Sequence, residues 1–100
     1  MEKNEIISVV IDTVKDHIGP DRLTEIGTID QNTPLFGREG ILDSIGLVNV
    51  VLDVERVVNE RAGRAIALAD DRAMSQARSP FQSAVVLANY VEQLLQEKQP

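Results

Sequence analysis

Aliphatic side chains recur at helical spacing in three stretches of this chain, and no stretch alternates apolar and polar residues as a half-buried strand does. A chain patterned this way is restricted to helices packed on helices. The first stretch spans residues 4 to 18. Ile7, Val10, Ile11, Val14 and Ile18 form an apolar stripe, with Glu5, Asp12, Lys15 and Asp16 opposite. Its β-branched residues are modest helix formers, so packing has to hold it. Burial of five such side chains contributes on the order of 10 kcal/mol before chain entropy is subtracted. Gly19-Pro20 ends the pattern.

Residues 19 to 43 carry Pro20, Gly27, Pro34, Gly37 and Gly40 and read as one long loop. Loops of this length without structure of their own are uncommon and often functional. Leu23, Ile26, Ile29, Leu35, Phe36, Ile41 and Leu42 are spaced along it and are expected to pin it to the helices. A short helical turn fits Asp21 to Ile26.

The second helix is predicted from about Ser44 to Glu60, with Asp43-Ser44 supplying side-chain oxygens for its N-cap and Gly63 as its stop. It is apolar on two faces. Leu47, Val51, Val54 and Val58 form one stripe, wide enough to face a core. Ile45, Val48 and Leu52 form another, which is expected near the surface as a contact strip for a partner or cargo. A short third helix is expected over Asp70 to Gln76, with Met74 either core filler or lining for cargo. Ser79-Pro80-Phe81-Gln82 combines a cap, Pro at the first helical position and Gln three residues after the cap. The last helix then runs to about Gln96, with Phe81, Val85, Ala88, Val91 and Leu95 inward.

The sum is a single all-α domain over residues 1–100, three substantial helices and a short one forming an irregular four-helix bundle. With one Tyr, two Phe and no Trp, its core must be built from Val, Ile, Leu and Ala. The net charge of −6 argues against nucleic acid and anionic membranes and favours partners with basic surfaces. There is no Cys, so disulfides and thiolate metal sites are excluded. The charged first residues and the lack of a long apolar run predict a cytoplasmic protein with no membrane segment. Nothing points to an oligomer, and a monomer is expected.

The segment Leu35 to Glu55, LFGREGILDSIGLVNVVLDVE, resembles the modification site of acyl carrier and peptidyl carrier proteins. Those domains have a Leu-anchored loop, then Asp-Ser-aliphatic at the start of the second helix. Here these residues are Leu35, Asp43, Ser44 and Ile45. The resemblance extends over nearly the whole chain, in helix lengths, long first loop, short third helix and acidic balance. It implies an acyl-carrier-like four-helix bundle with a long loop between helices 1 and 2. It also implies a covalent 4′-phosphopantetheine arm on Ser44, installed by a phosphopantetheinyl transferase that recognises Asp43. Acyl-loading and acyl-processing enzymes would then dock by basic surfaces on the acids of the second helix, Asp53 and Glu55 with Glu60, beside Ile45, Val48 and Leu52.

Gly46, Asn49 and Arg56 stand where fatty-acid carriers commonly have acids. A dedicated polyketide, specialised lipid or aminoacyl pathway therefore stands beside general fatty acid synthesis. Independently of the family, a Ser at a helix start places its hydroxyl where unpaired amides and the positive dipole end favour a phosphate. The plainer reading of Ser44 is an unmodified cap. An enzyme with Ser44 as nucleophile fits poorly. Leu42 and Gly46 do not make Gly-x-Ser-x-Gly, and His17 is the one imidazole, a surface side chain by its helix position. An unmodified helical adaptor that uses the exposed stripe is the remaining alternative.

Overall fold

The computed structural model describes residues 1–36, 40–68 and 81–96; at Ser44 it describes the backbone and not the side chain. Four helices lie within these residues: α1 (Lys3–Ile18), α2 (Pro20–Ile26), α3 (Ser44–Ala62) and α4 (Ala84–Gln96). No strand occurs among the described residues, and no helix there is long and apolar enough to cross a membrane. The short helix expected over Asp70 to Gln76 and its Met74 lie outside the described residues, as does Ser79-Pro80. The short helix that is seen is α2, inside the long first connection.

The side-chain and backbone links fix the helix directions. Glu5 at the start of α1 pairs with Arg61 at the end of α3 at 3.2 Å, and His17 at the end of α1 meets Asp53 in the middle of α3 at 2.6 Å. These two helices are therefore antiparallel. The α4 helix runs with α3. Its start is bonded to the loop that precedes α3, where the Leu35 amide donates to the Gln82 carbonyl, and the Leu95 carbonyl near its end accepts from Arg64, just past α3. Both α3 and α4 pack on α1.

A helix with neighbours on two sides needs a broad apolar face. Accordingly Ile6 and Val9 are buried beside the expected Ile7, Val10 and Val14, while Ile11 and Ile18 are only half-buried. The α3 stripe Leu47, Val51, Val54 and Val58 is buried as expected, joined by Val50. Gly63 ends α3 in the left-handed region at φ 67°, and its amide donates to the Asn59 carbonyl at 3.0 Å. The last helix differs from expectation. Phe81 is buried but precedes the helix, which starts at Ala84, after Ser83. Its inward face is Ala84, Leu87, Ala88, Tyr90, Val91 and Leu94, with Val85 and Leu95 half-buried at the flanks. The Ser83 Oγ accepts from the Val86 amide at 3.4 Å, a weak version of the cap expected at Ser79.

Beyond α3, the chain is held by two side chains of that helix. Asn59 and Ile66 exchange two hydrogen bonds. The Ile66 amide donates to Asn59 Oδ1 at 2.9 Å, and Asn59 Nδ2 donates to the Ile66 carbonyl at 3.3 Å. Glu55 Oε2 accepts from the Leu68 amide at 2.7 Å. Leu68 is thereby led into the core at 0% exposure. Asn59→Ala leaves both backbone groups of Ile66 without this partner, and the expected loss is about 1–3 kcal/mol. Urea unfolding checks this; an unchanged midpoint would show that the latch contributes nothing.

Candidate functional site

Asp43 is in extended backbone conformation, φ −83° and ψ −179°, and its Oδ1 accepts from the Gly46 amide at 2.6 Å. This is N-cap geometry, from cap to third helical residue. Ser44 is thus the first helical residue and not the cap. The Asp43 carbonyl also accepts the first helical bond, from Leu47 at 2.8 Å. Gly46 suits this closure, because a Cβ there would stand 3.0 Å from Asp43 Oδ1. Gly46 thus has a local reason in the cap, whatever acids are common at this place elsewhere.

Replacing Asp43 by Ala removes the cap and is expected to cost about 0.5–2 kcal/mol, whereas Asp43→Asn keeps an acceptor and most of that stability. Denaturation midpoints of the two variants distinguish them. Equal losses would indicate that charge, and not the hydrogen bond, matters at this helix end.

The residues on either side of Ser44 are exposed. Asp43 faces solvent, and Ile45 is 75% exposed; among the described residues the other strongly exposed large apolar side chain is Leu52 at 47%. Val48, between them on the helix, is half-buried. The two-stripe reading of α3 therefore holds at Ile45 and Leu52 and is weaker at the half-buried Val48.

The long loop reaches this tip along a bonded path. A turn at Asp30 to Thr33 comes first. The Asn32 amide donates to Asp30 Oδ1 at 2.8 Å, and the Asp30 amide donates to Thr33 Oγ1 at 2.9 Å. Leu35 then enters the core at 1% exposure, with Ile29 and Leu42 also buried. Its amide donates to the Gln82 carbonyl at 2.7 Å, and its carbonyl accepts from the Leu42 amide at 2.8 Å. These backbone bonds carry no sequence signal, since every residue offers the same carbonyl.

The acids assigned to partners are found with intramolecular duties. Asp53 Oδ2 meets His17 Nε2 at 2.6 Å and keeps 44% of its side chain exposed. Glu55 is half-buried and accepts from the Leu68 amide. Glu60 lies 3.7 Å from Arg56, an exposed pair of i,i+4 type. His17, a surface side chain by its helix position, has a partner that its place in the sequence does not announce. Asp53 is 36 residues away, so only the mutual register of two helices brings them together. Among the described residues no group of three or more His, Asp or Glu is placed to hold a metal ion. The chain matches no model of a known protein family, no curated protein and no solved structure.

Proposed function

We propose that this chain is an acyl carrier, modified on Ser44 by a 4′-phosphopantetheine arm and serving enzymes of fatty acid, polyketide or another specialised lipid pathway. One placement carries the proposal. Asp43-Ser44 opens a 19-residue helix at the end of a long anchored loop, with Asp43 and Ile45 exposed on either side. A helix start between two exposed residues suits the attachment of a long tether.

The donor set fits the arm as an attachment point more than as a cradle. The Gly46 amide already serves Asp43, so a phosphodiester on Ser44 shares the helix end with a carboxylate. The covalent ester, and not a ring of amides, has to hold it. When attached, the arm supplies a terminal thiol that takes acyl groups as thioesters, a group this cysteine-free chain lacks. The chain itself needs no catalytic residue, because the enzymes it visits perform the chemistry.

Asp43 is then read by the transferase. Ile45 and Leu52, with Val48 beneath them, offer apolar contact to the enzymes that load and process cargo. Asp53 and Glu60 retain exposed edges for basic groups on those enzymes, while Glu55 is committed to Leu68. The carrier acts as a cytoplasmic monomer.

The exposed Ile45 and Leu52 would serve an unmodified adaptor equally well. Co-expression with a phosphopantetheinyl transferase separates the two. The carrier gains the mass of one phosphopantetheine; an adaptor stays at its own mass under conditions that modify a control carrier.

A further inference from the structure

We infer that the start of α4 is a remote part of the arm-attachment site, positioning Asp43 and Ser44 through the backbone of Leu35. This deepens the carrier reading and rests on it. The Asp43 cap ties the tip only to its own helix. The chain entering that helix comes from a long loop, and loop residues take a fixed place only where bonds or burial hold them. Here both hold. The Ile41 amide donates to the Pro34 carbonyl at 3.2 Å and the Leu42 amide to the Leu35 carbonyl at 2.8 Å. The loop is in turn fastened twice at the start of α4, by the Leu35 amide on the carbonyl of Gln82, just ahead of the helix, at 2.7 Å and by the Val85 amide within it on the Gln31 carbonyl at 3.0 Å. Leu35 and Leu42 are buried, so the side chains clamp the same links.

The order of connection is therefore Gln82, Leu35, Leu42, Asp43, Ser44. Leu35 uses its one backbone donor toward α4 and its carbonyl toward α3. Residues far apart in the chain act as one support for the two residues a transferase must find together. A support of this kind changes how often the tip is correctly placed, not the chemistry once it is bound. Leu35 and Gln82 are positioning residues in this account.

Replacing single amides by esters tests it, since an α-hydroxy acid keeps the side chain, deletes the N–H and weakens the carbonyl before it, which at Leu35 is the Pro34 acceptor of the same support. The esters are placed at Leu35, at Leu42 and, as a control, at Gly63, whose amide closes the far end of α3 on Asn59. The readout is arm installation by a phosphopantetheinyl transferase with coenzyme A. The Leu35 and Leu42 esters are expected to raise KM for the chain about 3–10-fold with kcat retained, as one net hydrogen bond lowers the competent fraction. The Gly63 ester leaves KM unchanged while lowering the melting temperature comparably. Equal KM in all three, or an equal rise in the control, overturns the inference.

Hydrogen exchange at Gly46 gives a readout that needs no arm. Faster exchange there in the Leu35 and Leu42 esters, and not in the control, supports the positioning path; unchanged exchange overturns it. Should the unaltered chain accept no arm while Gly46 responds as expected, the carrier reading fails and the support stands.

Discussion

Ser44→Ala is expected to melt within about 4 °C of the unaltered chain and to accept no phosphopantetheine at all. The melting temperature follows from where the cap lies. The Asp43 carboxylate bonds the Gly46 amide, so the substitution leaves that cap in place. It places a strong helix former at the first helical position. A change at the first helical position that keeps the cap is expected to stay within about 0.5 kcal/mol, which for a domain of this size is about 2–4 °C. The loss of modification is complete because the ester needs that oxygen. A calorimetric scan and an intact mass on the same sample measure both halves. Large-scale unfolding of the variant would show that Ser44 is structural, and retained modification would place the arm elsewhere.

Leu35→Ala is expected to be the more damaging change to the fold, at about 2–5 kcal/mol. Its side chain is 1% exposed, within the hydrophobic core. Against a total stability of about 5–15 kcal/mol, that is a large share. The melting temperature is expected to fall by at least about 8 °C. Leu52→Ala is the comparison, a side chain of the same size that is 47% exposed, and its expected cost is under about 1 kcal/mol. Equal effects at the two positions would contradict the burial on which the anchored loop depends.

The difference between these two leucines marks the line between what the sequence makes legible and what only the packing decides. The α3 helix was legible in detail. Its start at Asp43-Ser44, its stop at Gly63 and its core stripe all follow from local chemistry. So did the exposure of Ile45, because a helix apolar on two faces cannot bury both in so small a bundle. The α1 helix was legible as a helix but not in its full buried width. Ile6 and Val9 are buried because α1 packs against two helices, a fact about arrangement and not about period. The start of α4 was misread for a similar reason: a good cap signal at Ser79-Pro80 does not decide where tertiary packing lets the helix begin, and Phe81 is in the core ahead of it.

At the candidate site the division is sharper. Asp43 and Ser44 stood out by residue type and position. The partners of Asp53 and Glu55 did not, because a carboxylate on a helix looks the same whether it faces an enzyme, His17 or the Leu68 amide. The support running from Gln82 through Leu35 to Leu42 is made of backbone groups, which no residue type announces. Its trace in the sequence is the apolar residues Leu35, Phe36, Ile41 and Leu42 in a Gly-rich and Pro-rich loop.

The most direct measurement is peptide fragmentation of the chain after reaction with coenzyme A and a phosphopantetheinyl transferase. A single phosphopantetheine located on Ser44 is the predicted outcome, since among the described serines Ser44 is the one that opens a long helix between exposed neighbours. A chain left bare while a control carrier is modified, or an arm found on any other serine, would contradict it.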